Sequence, residues 1–387
     1  MIPPTLPEGH MVGKRGMSLA RCEELDELVA LGPLEKPDPE PGPYDTADSI
    51  RAPIDRDRAR IESLRALRPV PLSELGEGAE VLWTWLGYLC REHITLLTGL
   101  WKGGKTTLLA YLLRDFASGG ELAGTIEPAR VLVISEESKG LWARRRDDLG
   151  IGDQVHLVNR PFLGRPRLSD WIGLVDRIVE WIGLNGYGVV VFDTLASLWP
   201  VPDENDASLM MAALSPLHAI TAAGAAVLLV HHPRKGDAGE GQASRGSGAL
   251  TGFVDIIVEL RRYDAANHDD RRRVLTAYSR FDETPTGVVI ELAEGGYRTV
   301  GGKSEAKRDD RLSVIAGVLL PDPPGMTVDD IRDGWPLGEA PKPGRRTVQT
   351  DLKEGAGKGL WIASGHGSRG DPLRYRRADS IRASPPP

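Results

Sequence analysis

Residues 93–113 read His93-Ile-Thr-Leu-Leu-Thr98-Gly99-Leu-Trp-Lys-Gly-Gly104-Lys105-Thr106-Thr107-Leu-Leu-Ala-Tyr-Leu-Leu113. A short apolar run leads into a glycine-rich loop, and a leucine-rich segment of helical character follows. The central eight residues fit G-x-x-x-x-G-K-[ST], and the strand before and helix after supply the context that gives the pattern meaning. The physical reason is an anion nest. Glycines let backbone N–H groups turn inward, and the helix N-terminus adds the positive end of its dipole. Lys105 is expected to reach the β- and γ-phosphates of ATP, and the Thr106 hydroxyl to ligate Mg²⁺. The nucleotide-binding set is then Gly99, Leu100, Trp101, Lys102, Gly103, Gly104, Lys105, Thr106 and Thr107. Lys102 reads as a solvated loop residue, with an accessory phosphate contact as the alternative.

Outward from this loop, buried strands alternate with helices. Strands are expected at 93–98, 130–135, 155–158, 188–193 and 225–231, and helices at 106–117, 142–149, 168–184 and 208–222. Short β-branched or leucine-rich runs spaced by helical segments predict an α/β fold with a mostly parallel sheet. Four further strands, at 255–262, 272–278, 287–292 and 296–300, predict an antiparallel close to that sheet.

Two acidic sites belong to the same chemistry. Val189-Val-Val-Phe192 ends in Asp193-Thr194. A carboxylate at the C-terminal tip of a buried parallel strand faces the crevice where ligands bind, so Asp193 is expected to hold Mg²⁺. Val131-Leu-Val-Ile134 ends in Ser135-Glu136-Glu137-Ser138. A glutamate there, on a strand expected beside the phosphate-loop strand, can polarise the attacking water. Glu137 is favoured, with Glu136 as the alternative.

The net charge is −7, so nucleic acid has no global attraction to the chain and must be met by a local basic patch. The only two cysteines, Cys22 and Cys90, have no metal or redox spacing. That pattern argues for a reducing cytoplasmic setting. No apolar run approaches the roughly 20 residues that span a bilayer, and no apolar export signal opens the chain. Residues 1–77 are proline-rich and are expected to be poorly ordered, with short helices at 19–31 and 55–67. The expected organisation is an ATPase domain over 78–300, a polar linker over 301–311 and a small domain over 312–387.

In that last segment helices are expected at 311–320, 327–334 and 345–353, then a hairpin pairing 360–364 with 373–377. Three helices and a hairpin look like a winged helix. Residues 342–382 hold ten Lys/Arg against four Asp/Glu, a local excess suited to phosphate binding. Arg345, Arg346 and Gln349 on the third helix and Arg369 at the hairpin tip are the expected DNA contacts.

Taken in order, the phosphate loop, Ser135-Glu-Glu137 with Arg144–Arg146 behind it, Val191-Phe-Asp193, His231-His232-Pro-Arg-Lys235 and Arg245-Gly-Ser-Gly-Ala-Leu250 resemble RecA-like P-loop ATPases. The resemblance spans about residues 80–300 and is nearest to the RepA-type replicative helicases of plasmids and phages. It implies a RecA-like core and a motor acting on DNA, single-stranded by preference, as a homo-oligomer, with a hexameric ring as the implied assembly. It implies that Glu137 is the catalytic glutamate and that His232, or else His231, senses the γ-phosphate. It implies that the loop carrying Arg245 faces the channel or a neighbouring subunit. Tyr278-Ser-Arg280 lies where DnaB-type helicases have Lys-x-Arg, so Arg280 is the implied arginine acting on the neighbour's γ-phosphate. The lysine of that pair is Tyr278 here, a departure that weakens the implied ring. A loader or recombination mediator, and an ATP-switched DNA-binding regulator, are the alternatives that need no unwinding.

Overall fold

A computed structural model of the chain describes residues 68–74, 80–100, 102–232, 248–336 and 342–378. The expected helices at 19–31 and 55–67, Trp101, and the loop carrying Arg245 lie outside the described residues. The chain divides into two compact units, Met1–Ala79 and Glu80–Pro387. In the first, the described structure is a 3-10 turn at Leu72–Glu74. Everything below concerns the second.

It opens with β1 (Trp83–Trp85), β2 (Leu89–Cys90) and β3 (Ile94–Thr98), and then α1 (Lys105–Asp115). The short pair β4 (Gly120–Glu121) and β5 (Thr125–Ile126) leads to β6 (Val131–Ser135), α2 (Lys139–Leu149), β7 (Val155–Asn159), α3 (Leu168–Asn185) and β8 (Val189–Asp193). Next come α4 (Leu195–Leu198), α5 (Ala207–Leu214), α6 (His218–Ala222), β9 (Ala226–His231), α7 (Gly248–Phe253), β10 (Ile256–Arg262), β11 (Arg272–Tyr278), β12 (Val288–Ala293) and β13 (Gly296–Gly302). The last elements are α8 (Lys303–Val318), α9 (Val328–Asp333), α10 (Arg345–Gly357), β14 (Trp361–Ser364) and β15 (Arg374–Arg377).

Nine strands form one sheet in the order β13-β12-β11-β10-β3-β9-β8-β6-β7. The six strands from β10 to β7 are parallel, and β11, β12 and β13 extend the sheet antiparallel. All residues of β3, β6, β8 and β9 are buried, which is why they read as continuous apolar runs rather than alternating ones. On one face Leu97, Val133, Val191 and Val230 pack against Leu108, Leu109 and Leu112 of α1 and Trp142 of α2. On the other, Leu96, Ile134, Phe192 and Leu229 pack against Trp171 and Ile178 of α3, Met210 of α5 and Ile220 of α6. A mixed α/β domain with a large, mainly parallel sheet fits a P-loop NTPase core.

Three expectations need correction, and one sheet had no counterpart in the sequence reading. The strand bearing the glutamate pair is not beside β3, because β9 and β8 stand between β3 and β6. The stretch 301–311 is no linker: it finishes β13 and forms the first half of α8, whose Ala306 is buried against Val274 and Val289 of the sheet. The helix expected over 208–222 is broken by a 3-10 turn, Ser215–Leu217. Pro216 in that turn has no N–H to donate to an α-helical ladder. Finally, β2-β1-β5-β4 form a separate small sheet that was not anticipated.

The C-terminal elements share a core of Leu312 and Ile315 from α8, Ile331 from α9, Val348 and Leu352 from α10, and Trp361 and Tyr375 from the β14–β15 hairpin. Met326, just before α9, forms an antiparallel bridge with Tyr375. Arg311 of α8 closes a two-pronged ion pair on buried Asp351 of α10 (2.6 and 3.0 Å). Asp310 of α8 accepts from Arg272 (2.6 Å) and from the Tyr263 hydroxyl (2.7 Å), tying that helix to the sheet.

Candidate nucleotide site

The loop between β3 and α1 leaves the C-terminal edge of the parallel sheet. Gly104 caps α1 with φ 101°, a left-handed backbone that favours glycine. At Gly103 a Cβ would stand 2.8 Å from the Leu100 carbonyl, so the turn closes only around a hydrogen. Lys105 is 3% exposed, and its ammonium donates to the carbonyls of Gly99 (2.6 Å) and Leu100 (3.2 Å) and to Nδ1 of His232 (2.9 Å). Burial pushes the ammonium down to about 8, and the Asp193 carboxylate pulls the other way. Thr106 is half-buried, Lys102 and Thr107 are exposed, and Leu100 is exposed.

Asp193 ends β8, and its Oδ2 is buried with no hydrogen-bond partner among the described residues. Burial raises its carboxyl to about 7, with Glu137 and Glu136 adding repulsion while Arg145 and Lys105 oppose it. A buried carboxylate oxygen without a donor, crowded by two further carboxylates, is a natural cation ligand. Asp193 therefore fits Mg²⁺, and the expected second ligand, Thr106, stands in the first turn of α1. Among the described residues no group of three or more His, Cys, Asp or Glu is arranged to hold a metal.

The two glutamates diverge. Glu136 accepts from the Thr194 hydroxyl (2.9 Å), which places it against the end of β8. Glu137 is gripped on both oxygens by the Arg145 guanidinium, with the Arg145 Nη2 to Oε1 distance at 3.0 Å. Arg145 in turn lies over the Trp142 ring, whose indole N–H donates to the Ser135 hydroxyl (2.9 Å). The two histidines diverge as well. His232 meets Lys105, and burial followed by that ammonium holds its proton affinity below the usual range. His231 is buried and its Nε2 faces Glu204 (3.3 Å). The structure thus brings Lys105, His232, Asp193, Glu136 and Glu137 to one edge of the sheet.

Residues 62–238 match the family model of an AAA domain. The match supports a P-loop ATPase with nucleotide-binding activity of the ATPase type, and the loop, Asp193, both glutamates and both histidines all fall inside it. No curated protein matches the chain.

Arg280 stands apart from this edge. β11 runs antiparallel to β10, with Arg273 beside Arg262 at the phosphate-loop end and Tyr278 beside Ile257 at the other. Seven residues of strand cover roughly 20 Å, so the exposed Arg280 lies near the far end of the sheet from its own Lys105. It follows β11, an interior strand. In the C-terminal elements Arg345 and Arg346 are exposed on the first turn of α10, Gln349 is half-buried one turn on, and Arg369 is exposed between β14 and β15. Arg345 pairs with Asp329 (3.0 Å).

Sequence reasoning missed the partners rather than the principals. Arg145 was seen only as one of three arginines, although its distance of eight residues from Glu137 allows a return contact from a helix. Arg273 and Tyr297 approach the phosphate loop from the antiparallel strands, and no local pattern announces that. Among the described residues no helix is long and apolar enough to cross a membrane.

Proposed function

We propose that this chain is a RecA-like motor that binds and hydrolyses ATP with Mg²⁺ and couples the cycle to DNA. The observation that carries the reading is the position of Lys105. Its ammonium is folded onto the loop carbonyls and His232, ready to exchange them for phosphate oxygens. Lys105 would neutralise the β- and γ-phosphates, while backbone N–H groups at the start of α1 donate to their oxygens. Mg²⁺, when bound, supplies further charge neutralisation on those phosphates. His232, already in contact with the lysine, would register whether the γ-phosphate is present. Glu137 would orient water for in-line attack once its grip from Arg145 loosens, and Glu136 holds the alternative claim to that role.

Work on DNA is supported by the C-terminal elements. The order helix, bridging strand, helix, helix, hairpin suits a winged helix, with exposed Arg346 on the third helix and Arg369 on the wing. If Arg280 serves a γ-phosphate, its place at the far end of its own sheet makes that phosphate another subunit's, and the motor is then an oligomer. The test is the ATPase rate of the full chain with and without single- and double-stranded DNA, with oligomer mass measured in parallel. Stimulation by DNA together with assembly is expected. ATP turnover that ignores DNA in a stable monomer would refute the motor.

A further inference from the structure

Arg273 is the second residue of β11, two strands away from β3. Its Nε donates to the carbonyl of Gly103 in the phosphate loop (3.1 Å). Its Nη1 donates to the carbonyls of Asp270 (2.8 Å) and Arg272 (2.7 Å). Among the described residues it forms no ion pair, whereas its neighbour Arg272 pairs with both Asp270 and Asp310. A half-buried guanidinium held only by carbonyls is unusual, because guanidinium groups taken out of water ordinarily find a carboxylate. Burial lowers its proton affinity; Tyr297 and the Asp270 carboxylate oppose that, and Arg262 adds to it. The neighbouring β12–β13 hairpin, whose β12 pairs with β11, is anchored to α1: Tyr297 packs edge-on against Tyr111 (5.6 Å), and Arg114 donates to the Gly295 carbonyl (2.7 Å). A Cβ at Gly104 would stand 3.7 Å from both Arg273 Nε and the Tyr297 hydroxyl, so these two groups flank the loop at the mouth of α1.

The Gly103–Gly104 peptide is trans, since the cis bonds lie at Asp193–Thr194 and Pro323–Pro324. In a trans peptide the carbonyl of one residue and the N–H of the next point in opposite directions. Pulling the Gly103 carbonyl toward β11 therefore turns the Gly104 N–H away from it. That N–H has no backbone acceptor among the described residues, and it stands at the N-terminus of an eleven-residue helix.

We propose that Arg273 is a positioning residue of the phosphate loop, fixing the Gly103–Gly104 peptide so that the Gly104 N–H is presented to the nucleotide's phosphates before they arrive. The proposal rests on the ATPase reading and extends it to a residue outside the loop. Without Arg273 that peptide is free to rotate, and binding must order it. A lost hydrogen bond from a charged donor corresponds to about tenfold or more in affinity. The amide would serve substrate, product and transition state alike, so the loss belongs in Kd and KM rather than in kcat.

The test compares the full chain with Arg273→Met, which keeps the stem and removes the donors, and Arg273→Lys, which restores one donor and the charge. The probes are ADP and inorganic pyrophosphate for binding and ATP for turnover, with Lys105→Ala as the reference for a lost site. Arg273→Met should weaken ADP and pyrophosphate by the same factor of about ten or more and raise KM with kcat nearly unchanged. Arg273→Lys should recover most of the loss. Should Arg273→Met not fold, Arg273→Gln takes its place. Unchanged binding of both probes overturns the proposal. So does a loss for ADP with none for pyrophosphate, which would mean contact with the nucleoside, or a fall confined to kcat. If wild-type protein shows no Lys105-dependent ADP binding, the ATPase reading itself fails.

Discussion

Lys105 is a charge held almost out of water. Its ammonium is nearly buried, with carbonyls and an imidazole as partners and no ion pair among the described residues. Its folded-state value of about 8 lies below the ordinary 10.5, so the free protein disfavours the charged form. Below pH 8 folded and unfolded chains both hold the proton and the cost is fully present. From 8 to 10.5 the folded state releases its proton first and the cost shrinks. That cost is on the order of 3 kcal/mol. Lys105→Met, without nucleotide and in chelator, should therefore melt above wild type at pH 7, with a smaller lead at pH 9.5. Thermal unfolding at the two pH values checks it, and a lead that grows with pH would contradict it. With ATP present the order reverses, because the same substitution, like Lys105→Ala, should abolish hydrolysis and weaken nucleotide binding. The glutamates differ in the same way. Glu137→Gln should bind ATP yet hydrolyse it at least about a hundredfold more slowly, as loss of a positioned base does. Single-turnover hydrolysis by Glu136→Gln is the comparison, and the larger loss in that variant would transfer the role to Glu136.

At the scale of elements, what could be read from the chain was whatever is local. β3, β6, β8 and β9 are buried on both faces, so each appears as an unbroken apolar run, and α1 shows itself by paired leucines. Strand order is set by pairings between distant segments, which explains why β6 was expected beside β3 and is not. The first half of α8 reads as polar because its contact with the sheet is a single small residue, Ala306, and the rest of that stretch is held by charge: Asp310 to Arg272 and Arg311 to Asp351. The site divides along the same line. Lys105 and Thr106 at the start of α1 and Asp193 at the end of β8 are marked in the sequence, whereas the hold of Arg145 on Glu137 and of Arg273 on Gly103 needs tertiary contact. The hairpin also gives a stability prediction. Trp361 is 2% exposed, packs in the small C-terminal core and donates from its indole to the Leu352 carbonyl (2.8 Å). Trp361→Ala should cost about 3–5 kcal/mol in those elements. Hydrogen exchange should show α9, α10 and the hairpin opening while the nine-stranded sheet stays protected. Loss of protection throughout would mean that the two cores unfold as one.

At the scale of the whole molecule the question is whether one chain contains a complete engine. Its own sheet carries the phosphate loop at one end and Arg280 near the other, with a strand of roughly 20 Å between them. A finger arginine typically contributes 10³–10⁵ in rate, and Tyr278 stands where a second cation is expected, so Arg280 would act without it. If Arg280 completes a neighbour's site, Arg280→Ala should leave nucleotide binding near wild type and hydrolysis crippled, while Lys105→Ala loses both. Each variant has what the other lacks. In a mixed assembly some interfaces join a sound phosphate loop from an Arg280→Ala subunit to a sound arginine from a Lys105→Ala subunit, and those interfaces should turn over ATP. The recovered rate should peak near an equal mixture, where such junctions are most numerous. It should rise with total protein, because it depends on association. Arg245 is the fallback donor, and Arg245→Ala mixed with Lys105→Ala separates the two arginines. A mixture that gives only the sum of its parts at every ratio, from a protein whose mass stays that of one chain with ATP and DNA present, would leave Arg280 a surface arginine and each chain hydrolysing alone.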